Sequence, residues 1–187
     1  MDPTEEQDCI KRVKNGDSAS YAFIVDSNKH MAYMIALKII GNPEDAQDIA
    51  QESFLKAYQQ LHQFQGKSKF STWLYTIVYR TAISRLKENR IKTFSINTVI
   101  SENYHENDSA PQEEQMQLKD EQRYVKLAIQ KLPRTEALLV TLYYLNENSV
   151  KEIQQITGLS LPNIKINLFR ARKRLEKELQ FLLKQQS

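Results

Sequence analysis

The residues with the plainest chemistry lie toward the C-terminal end. Ser149 and Glu152 have the spacing of a reciprocal helix cap, Gly158 supplies a break, and a second start at Ser160 leads into Lys165, Arg170, Arg172, Lys173, Arg174 and Lys177. Two short helices broken at a glycine, the second one cationic, have the shape that enters the DNA major groove. Ile164, Leu168, Ala171, Leu175, Leu179 and Leu182 fall on one stripe of the second helix, and Pro162, Ile166, Phe169, Arg170, Lys173 and Lys177 fall opposite. The first stripe suits a core. On the other, Arg170 and Lys173 suit phosphates or guanine edges, while Ile166 and Phe169 suit thymine methyl groups. The alternative is a solvated basic helix in an ordinary bundle; the capped helix before Gly158 favours DNA.

A second basic stretch differs in kind. Phe64, Phe70, Trp73, Tyr75 and Tyr79 are interleaved with Lys67, Lys69 and Arg80. Aromatic faces stack on unpaired bases and cations follow the backbone, so this pattern suits single-stranded DNA better than duplex. Taken alone, the stretch reads more readily as core aromatics, with Phe70 and Trp73 turned inward. The acids Glu44, Asp45, Asp48 and Glu52 have helical spacing that suits a solvated face or a docking surface better than a metal site. His30, His62 and His105 are isolated, and no glycine-rich phosphate loop is present. The chain therefore reads as having no catalytic residues, no metal site and no cofactor.

Composition narrows the setting. The 187 residues carry a net charge of only +3, but the charge is in blocks: basic from Lys67 to Lys92, acidic from Glu102 to Glu121, and basic again from Lys165. Such alternation suggests separate surfaces for separate partners. Cys9 is the only cysteine, which excludes disulfide frameworks and fits a reducing cytoplasm. The apolar run from Met31 to Ile40 is interrupted by Lys38 and falls short of the roughly 20 residues a spanning helix needs, so no membrane insertion is expected. The acidic start, Met1 to Glu6, does not resemble a signal peptide.

The elements that must position these residues are helices. Four glycines and five prolines are too few for a hairpin-rich fold. Thr4 and Gln7 start a first helix that stops near Asn15 and Gly16, and Asp17 caps the next segment. Phe23, Ile24, Met31, Met34, Ile35 and Ile39 recur at helical spacing up to Gly41. Asn42 as N-cap with Pro43 behind it opens a third helix through Ala46, Ile49, Ala50, Ser53, Phe54, Ala57, Tyr58 and Leu61. After a loop over 63–69, Ser71 or Thr72 starts a fourth helix to Leu86. Periodicity is lost from about Ile91 to Gln117, which reads as a linker. Helices return over 118–132, 134–145 and 150–157, and a last one follows Ser160. The fold class expected is all-α: an N-terminal helical bundle and a C-terminal helix-turn-helix joined by a flexible linker.

Together these residues resemble the extracytoplasmic-function group of bacterial sigma factors in the sigma-70 family. The run from Asp45 to Tyr58 is similar to that family's Asp-Ala-Glu-Asp-x-x-Gln-Glu-x-Phe-x-x-x-Tyr/Trp segment, and Lys69 to Arg85 to its next helix. Leu132-Pro133, the turn from Gly158 to Lys165, and Arg170 to Leu175 match its C-terminal domain. The resemblance implies a region 2-like domain over 1–91, an acidic linker over 92–117, and a region 4-like domain over 118–187. It implies docking of Asp45, Asp48, Gln51, Glu52 and Phe54 on the clamp helices of the polymerase beta-prime subunit, with further contact to the beta subunit. It implies single-stranded −10 contacts from Phe64, Gln65, Lys67, Lys69, Phe70, Trp73, Tyr75, Tyr79, Arg80 and Arg85, with the loop over 63–69 receiving a flipped base. The −35 element would meet Ser160, Asn163, Lys165, Ile166, Phe169, Arg170 and Lys173. An anti-sigma factor is an implied partner.

The chain departs from the family where Gln154 stands in place of a small residue, and where Ile166 and Asn167 replace a common Ser-Arg. Ile77 and Val78 stand where primary sigma factors have a tryptophan pair, so melting would rely on base capture. Two other readings compete: a stand-alone helix-turn-helix regulator with an N-terminal sensor, and a nucleic-acid enzyme. A sensor needs neither the aromatic loop nor the acidic helix, and an enzyme needs convergent acids that are not evident.

Overall fold

Asn42, Ser149 and Ser160 each cap a helix start by accepting a backbone N–H that the start would otherwise leave orphaned. The computed structural model describes residues 3–96 and 120–184, with side chains over 4–89 and 124–181. Among them no strand forms. Helix α1 (Pro3–Lys14) carries Glu5 and Glu6 in its first turn and Lys11, Arg12 and Lys14 in its last, matching the helix dipole at both ends. Asp17 then accepts hydrogen bonds from the Ser20 amide and hydroxyl and pairs with Arg12 at 2.7 Å, which turns the chain through one 3-10 turn.

Helix α2 (Tyr21–Ile40) ends at Gly41, whose left-handed φ of 84° lets its N–H reach the Leu37 carbonyl. The Asn42 side chain accepts from the Asp45 amide, Pro43 follows, and α3 (Pro43–Gln59) starts as the cap pattern requires. Its inward residues are Ala46, Ile49, Ala50, Ser53, Phe54 and Ala57. Tyr58, placed by periodicity on that stripe, is exposed, as is Phe23 on α2. Inward slots on α2 go instead to Ile24, Asn28, Ala32, Ile35, Ala36 and Ile39, one position out of phase with Phe23.

Helix α4 (Phe70–Ile96) differs from the expectation at both ends. It starts at Phe70, because the Trp73 amide closes the first turn on the Lys69 carbonyl and the Phe70 ring is buried as an anchor. It runs on through residues 87–96, where Lys, Glu and Arg sustain a helix by intrinsic propensity after the apolar stripe has ended. Helices α2, α3 and α4 pack on one another around Ile24, Ile35, Ile49, Leu74 and Val78. Buried Asn28 fastens α2 to α4: its amide donates to the Ile24 carbonyl and its oxygen accepts from the Tyr75 hydroxyl at 3.1 Å. The Tyr21 hydroxyl donates to the Phe54 carbonyl and ties α2 to α3.

The C-terminal unit comprises α5 (Asp120–Gln130), α6 (Arg134–Val140), α7 (Val150–Thr157) and α8 (Leu161–Lys184). The helix expected over 134–145 stops being α-helical at Val140 and widens into a π-type turn over Thr141–Leu145. Both halves of the Ser149–Glu152 capping box form, and Gly158 at φ 73° ends α7. Ile129, Leu139, Leu142, Ile153, Ile156, Ile164 and Leu168 make its core, in which α8 packs on α5, α6 and α7. The linker acids Glu102, Glu106, Asp108, Glu113 and Glu114, and the Leu182 side chain, lie outside the described residues. The two units touch: α7 packs on α4 and α6 on α2.

Asn42→Ala should cost about 1 kcal/mol by removing the α3 cap, read as a shift of the urea midpoint with an unchanged slope.

Candidate nucleic-acid interface

Helix α4 has two working stripes. Leu74, Tyr75, Val78 and Ala82 turn into the bundle, which leaves Trp73, Thr76, Ile77 and Arg80 on the other side at three- and four-residue spacing. Those four, with Gln60, Gln63, Lys67, Ser68 and Thr72, line a cleft of about 400 Å³ between the helix and the preceding loop. The loop is braced from below. Phe64, Phe70 and Trp73 form a three-ring cluster with centroids 5.3 to 5.5 Å apart. Lys14 of α1 donates to the Phe64 carbonyl at 2.6 Å and lies over the Phe64 ring. Gly66, at φ 71°, makes the turn and leaves Gln65 and Lys67 exposed. Thr72 has a buried hydroxyl with no hydrogen-bond partner.

Of the residues the resemblance assigned to single-stranded DNA, Gln65, Lys67, Lys69 and Arg80 are exposed, and Phe64, Trp73 and Tyr79 are half-buried. Phe70 and Tyr75 are corrections: they are 2% and 3% exposed, so their rings serve the core and offer no face to a base. Burial pushes both the Tyr75 and the Tyr79 hydroxyl up in pKa. Arg85 reaches back across the bundle to Glu52 at 3.0 Å. Glu52 is thus shared between Arg85 and Lys56, the latter at 2.7 Å. The Lys56 hydrogen bond, with the charges of Lys56 and Arg85, holds this carboxyl below its ordinary 4.5 despite partial burial.

On α3 the candidate docking acids are set as expected from their spacing. Asp48 and Gln51 are exposed, and Asp45 and Glu52 are half-buried. Phe54 is a second correction, since it is 8% exposed and faces the core. Its neighbour Leu55, 59% exposed, takes its place on the outer stripe with Asp48, Gln51 and Glu52 at i, i+3, i+4 and i+7. The signal was in the sequence: an aliphatic residue out of phase with the buried positions, among charges. Gln155 was not legible in that way. It lines the α4 cleft from α7, a neighbour supplied only by tertiary packing.

The α8 face is as the stripe predicts. Ser160 caps the helix by accepting from the Asn163 amide at 3.4 Å. Asn163, Lys165, Ile166, Phe169, Arg170 and Lys173 are all exposed, and Lys173 stands over the Phe169 ring at 4.8 Å. Asn167, one of the departures named above, donates its amide to the Asn163 carbonyl at 2.9 Å and braces that exposed face. Gln154, the departure on α7, points to solvent. Among the described residues no group of histidine, cysteine and acidic side chains could hold a metal ion, and no helix is long and apolar enough to cross a membrane.

Comparison with known proteins places two families on the chain. Residues 24–91 match sigma-70 region 2, and residues 122–175 match sigma-70 region 4. The chain is 31% identical to the ECF RNA polymerase sigma factor SigW of Bacillus subtilis, over 92% of this chain and 96% of that protein. It is 32% identical to the RNA polymerase sigma-H factor of Pseudomonas aeruginosa, over 97% and 98%. Its fold is similar to that of the sigma factor RpoE from Bartonella quintana, solved in complex with the anti-sigma factor NepR: TM-score 0.69, 21% identity, 86% of this chain and 96% of that one. CnrH, solved with the cytosolic domain of CnrY, shares it at TM-score 0.60, 16% identity, 94% and 97%.

A folded-state pKa below the ordinary value means that Glu52 adds stability above pH 4.5, lost as pH falls through its lowered value. Glu52→Gln should therefore be less stable than wild type at pH 7, by under about 1 kcal/mol because the group is partly solvated. The difference should shrink as the pH is lowered below 4.5 and the Glu52 carboxyl is protonated, in urea titrations run across that range.

Proposed function

The chain belongs to the extracytoplasmic-function group of the sigma-70 family of RNA polymerase sigma factors, and on that premise we propose which of its residues meet the polymerase and the promoter. The carrying observation is that regions 2 and 4 occur in order on one chain, at 24–91 and 122–175, within relatives of 31% and 32% identity across nearly their whole length. Region 2 occupies the half that a stand-alone regulator would need as its sensor, so that alternative is not favoured. Sigma factors are initiation factors and not enzymes, and no catalytic residue is assigned.

The N-terminal unit, 1–91, docks on core polymerase through Asp48, Gln51, Glu52 and Leu55 of α3, with Asp45 at its edge. An apolar side chain within acids suits a surface that has cations around an aliphatic contact. The same unit captures the −10 strand in the α4 cleft. Trp73 offers a face for stacking, and Lys67, Lys69 and Arg80 follow phosphates. The linker, 92–117, spans the polymerase between the two units. The C-terminal unit, 118–187, reads the −35 element with α8. Arg170 and Lys165 meet base edges or phosphates, and Ile166 and Phe169 meet thymine methyls. An anti-sigma factor holds it inactive; solved relatives of the fold carry such partners. The protein acts in the cytoplasm, where its polymerase is.

In run-off transcription with purified core enzyme, Asp48→Arg should abolish product while leaving the helical circular dichroism unchanged; transcription at the wild-type level would reject the docking face. Leu55→Glu should weaken core binding on a gel-filtration column at least as much as Gln51→Ala does. Arg170→Ala should weaken −35 duplex binding by about 1–3 kcal/mol, and an unchanged footprint would remove it from the interface.

A further inference from the structure

Helix α1 lies ahead of residues 24–91, the stretch that matches region 2, yet it ends against the loop over 63–69. Its inward residues Ile10 and Val13 are buried, so the helix is fixed on the bundle. Its last turn is closed tightly. The Asn15 and Gly16 amides donate to the Lys11 and Val13 carbonyls, the Asp17 amide donates to the Arg12 carbonyl, and the Asp17 carboxylate holds the Arg12 guanidinium. Lys14 leaves that turn on the loop side. Its ammonium donates to the Phe64 carbonyl at 2.6 Å and stands 5.8 Å from the centre of the Phe64 ring. One contact is to the backbone and the other to the side chain of the same residue.

Phe64 links that cation to the cleft. Its amide donates to the Leu61 carbonyl and its own carbonyl accepts from Lys14, so the residue is tied on both sides. Its ring lies 5.3 Å from Phe70, which is buried, and 5.4 Å from Trp73, which lines the cleft. Gln65, Gly66 and Lys67 follow directly and are exposed. Gly66 gives this stretch a backbone freedom that other residues lack, so its pose depends on how firmly Phe64 is held. The cations are less demanding. Long side chains such as Lys67, Lys69 and Arg80 can meet phosphates from several poses, whereas a base is told from another only by groups in fixed places.

We propose that Lys14 is a positioning residue for base capture: it holds Phe64, and through Phe64 the loop and Trp73, in the pose that discriminates between bases, without touching DNA itself. The proposal rests on the reading of the α4 cleft as the −10 strand site. Loss of the brace flattens base preference more than it weakens total binding, because Lys67, Lys69 and Arg80 keep their phosphates. A cation over a ring at an exposed site sets the scale of the loss at about fivefold.

Trp73 is the only tryptophan of the chain, so its fluorescence reports the loop with no DNA present. In the free full chain, Lys14→Met keeps the stem, removes the cation and should raise acrylamide quenching of Trp73. Lys14→Arg keeps a cation and a donor and should leave quenching at the wild-type level. The second measurement uses holoenzyme assembled with purified core polymerase, on fork-junction DNA whose single strand is randomised, with the bound strands sequenced. At the most selective position, Lys14→Met should flatten the ratio of preferred to least preferred base about fivefold, and Lys14→Arg should restore it. The salt dependence of binding should not change, since no phosphate contact is lost. Unchanged quenching, or a flattening that Lys14→Arg does not restore, overturns the brace. A salt slope lower by about one overturns the positioning role, because Lys14 then meets a phosphate itself. Trp73→Ala separates the proposal from its premise. If it leaves base preference intact, the strand-site reading of the cleft falls; if it flattens the preference and Lys14→Met does not, only the role of Lys14 falls.

Discussion

A helix has room for one buried stripe, and α4 needs two. Its first stripe, Leu74, Tyr75, Val78 and Ala82, is committed to α2 and α3 and cannot be spared without loss of the bundle. Its second carries Trp73, Thr76, Ile77 and Arg80, too aromatic and aliphatic to face water at ease and too polar to join the core. That stripe calls for an intermittent partner. A nucleic-acid strand offers flat bases and charged phosphates; α7 offers Gln155 and Glu152. In this structure α7 covers part of that side, with Gln155 in the cleft wall and Glu152 on Lys69.

Two carboxylates tie together elements that lie far apart along the chain. Glu52 and Glu152 each serve two partners: Glu52 bridges Lys56 on its own helix and Arg85 on α4, and Glu152 caps α7 while pairing Lys69 on the other unit. In each case local structure orients the acid before the distant cation arrives, which lowers the entropy lost in forming the long-range pair. The pairs are partly solvated, so each contributes little on its own.

The exposed face of α8 obeys a different constraint. Its core stripe fixes the helix against α5, α6 and α7, and the Gly158 turn sets the angle at which it leaves α7. What remains outward is a mixture of cations and two large apolar side chains, with Lys173 resting on Phe169 and Asn167 holding Asn163.

Caps and periodicity are local, and the sequence determined them by itself. Asn42 with Pro43, Asp17, Ser149 with Glu152, Gly41 and Gly158 each stop or start a helix through atoms within four residues, and all form as their spacing requires. The α8 stripe and the acids on α3 were legible for the same reason. The misplacements arose where local signals are silent. Phe54 and Leu55 are neighbours of like polarity, and only phase against the bundle tells which is inside. Phe70 and Tyr75 fit a stacking platform by composition, yet the bundle buries both rings as anchors. Only the tertiary structure brought Glu152 to Lys69, Arg134 to the end of α2 and Gln155 into the cleft wall. Those pairs lie far apart along the chain, and no periodicity or cap carries information across that distance.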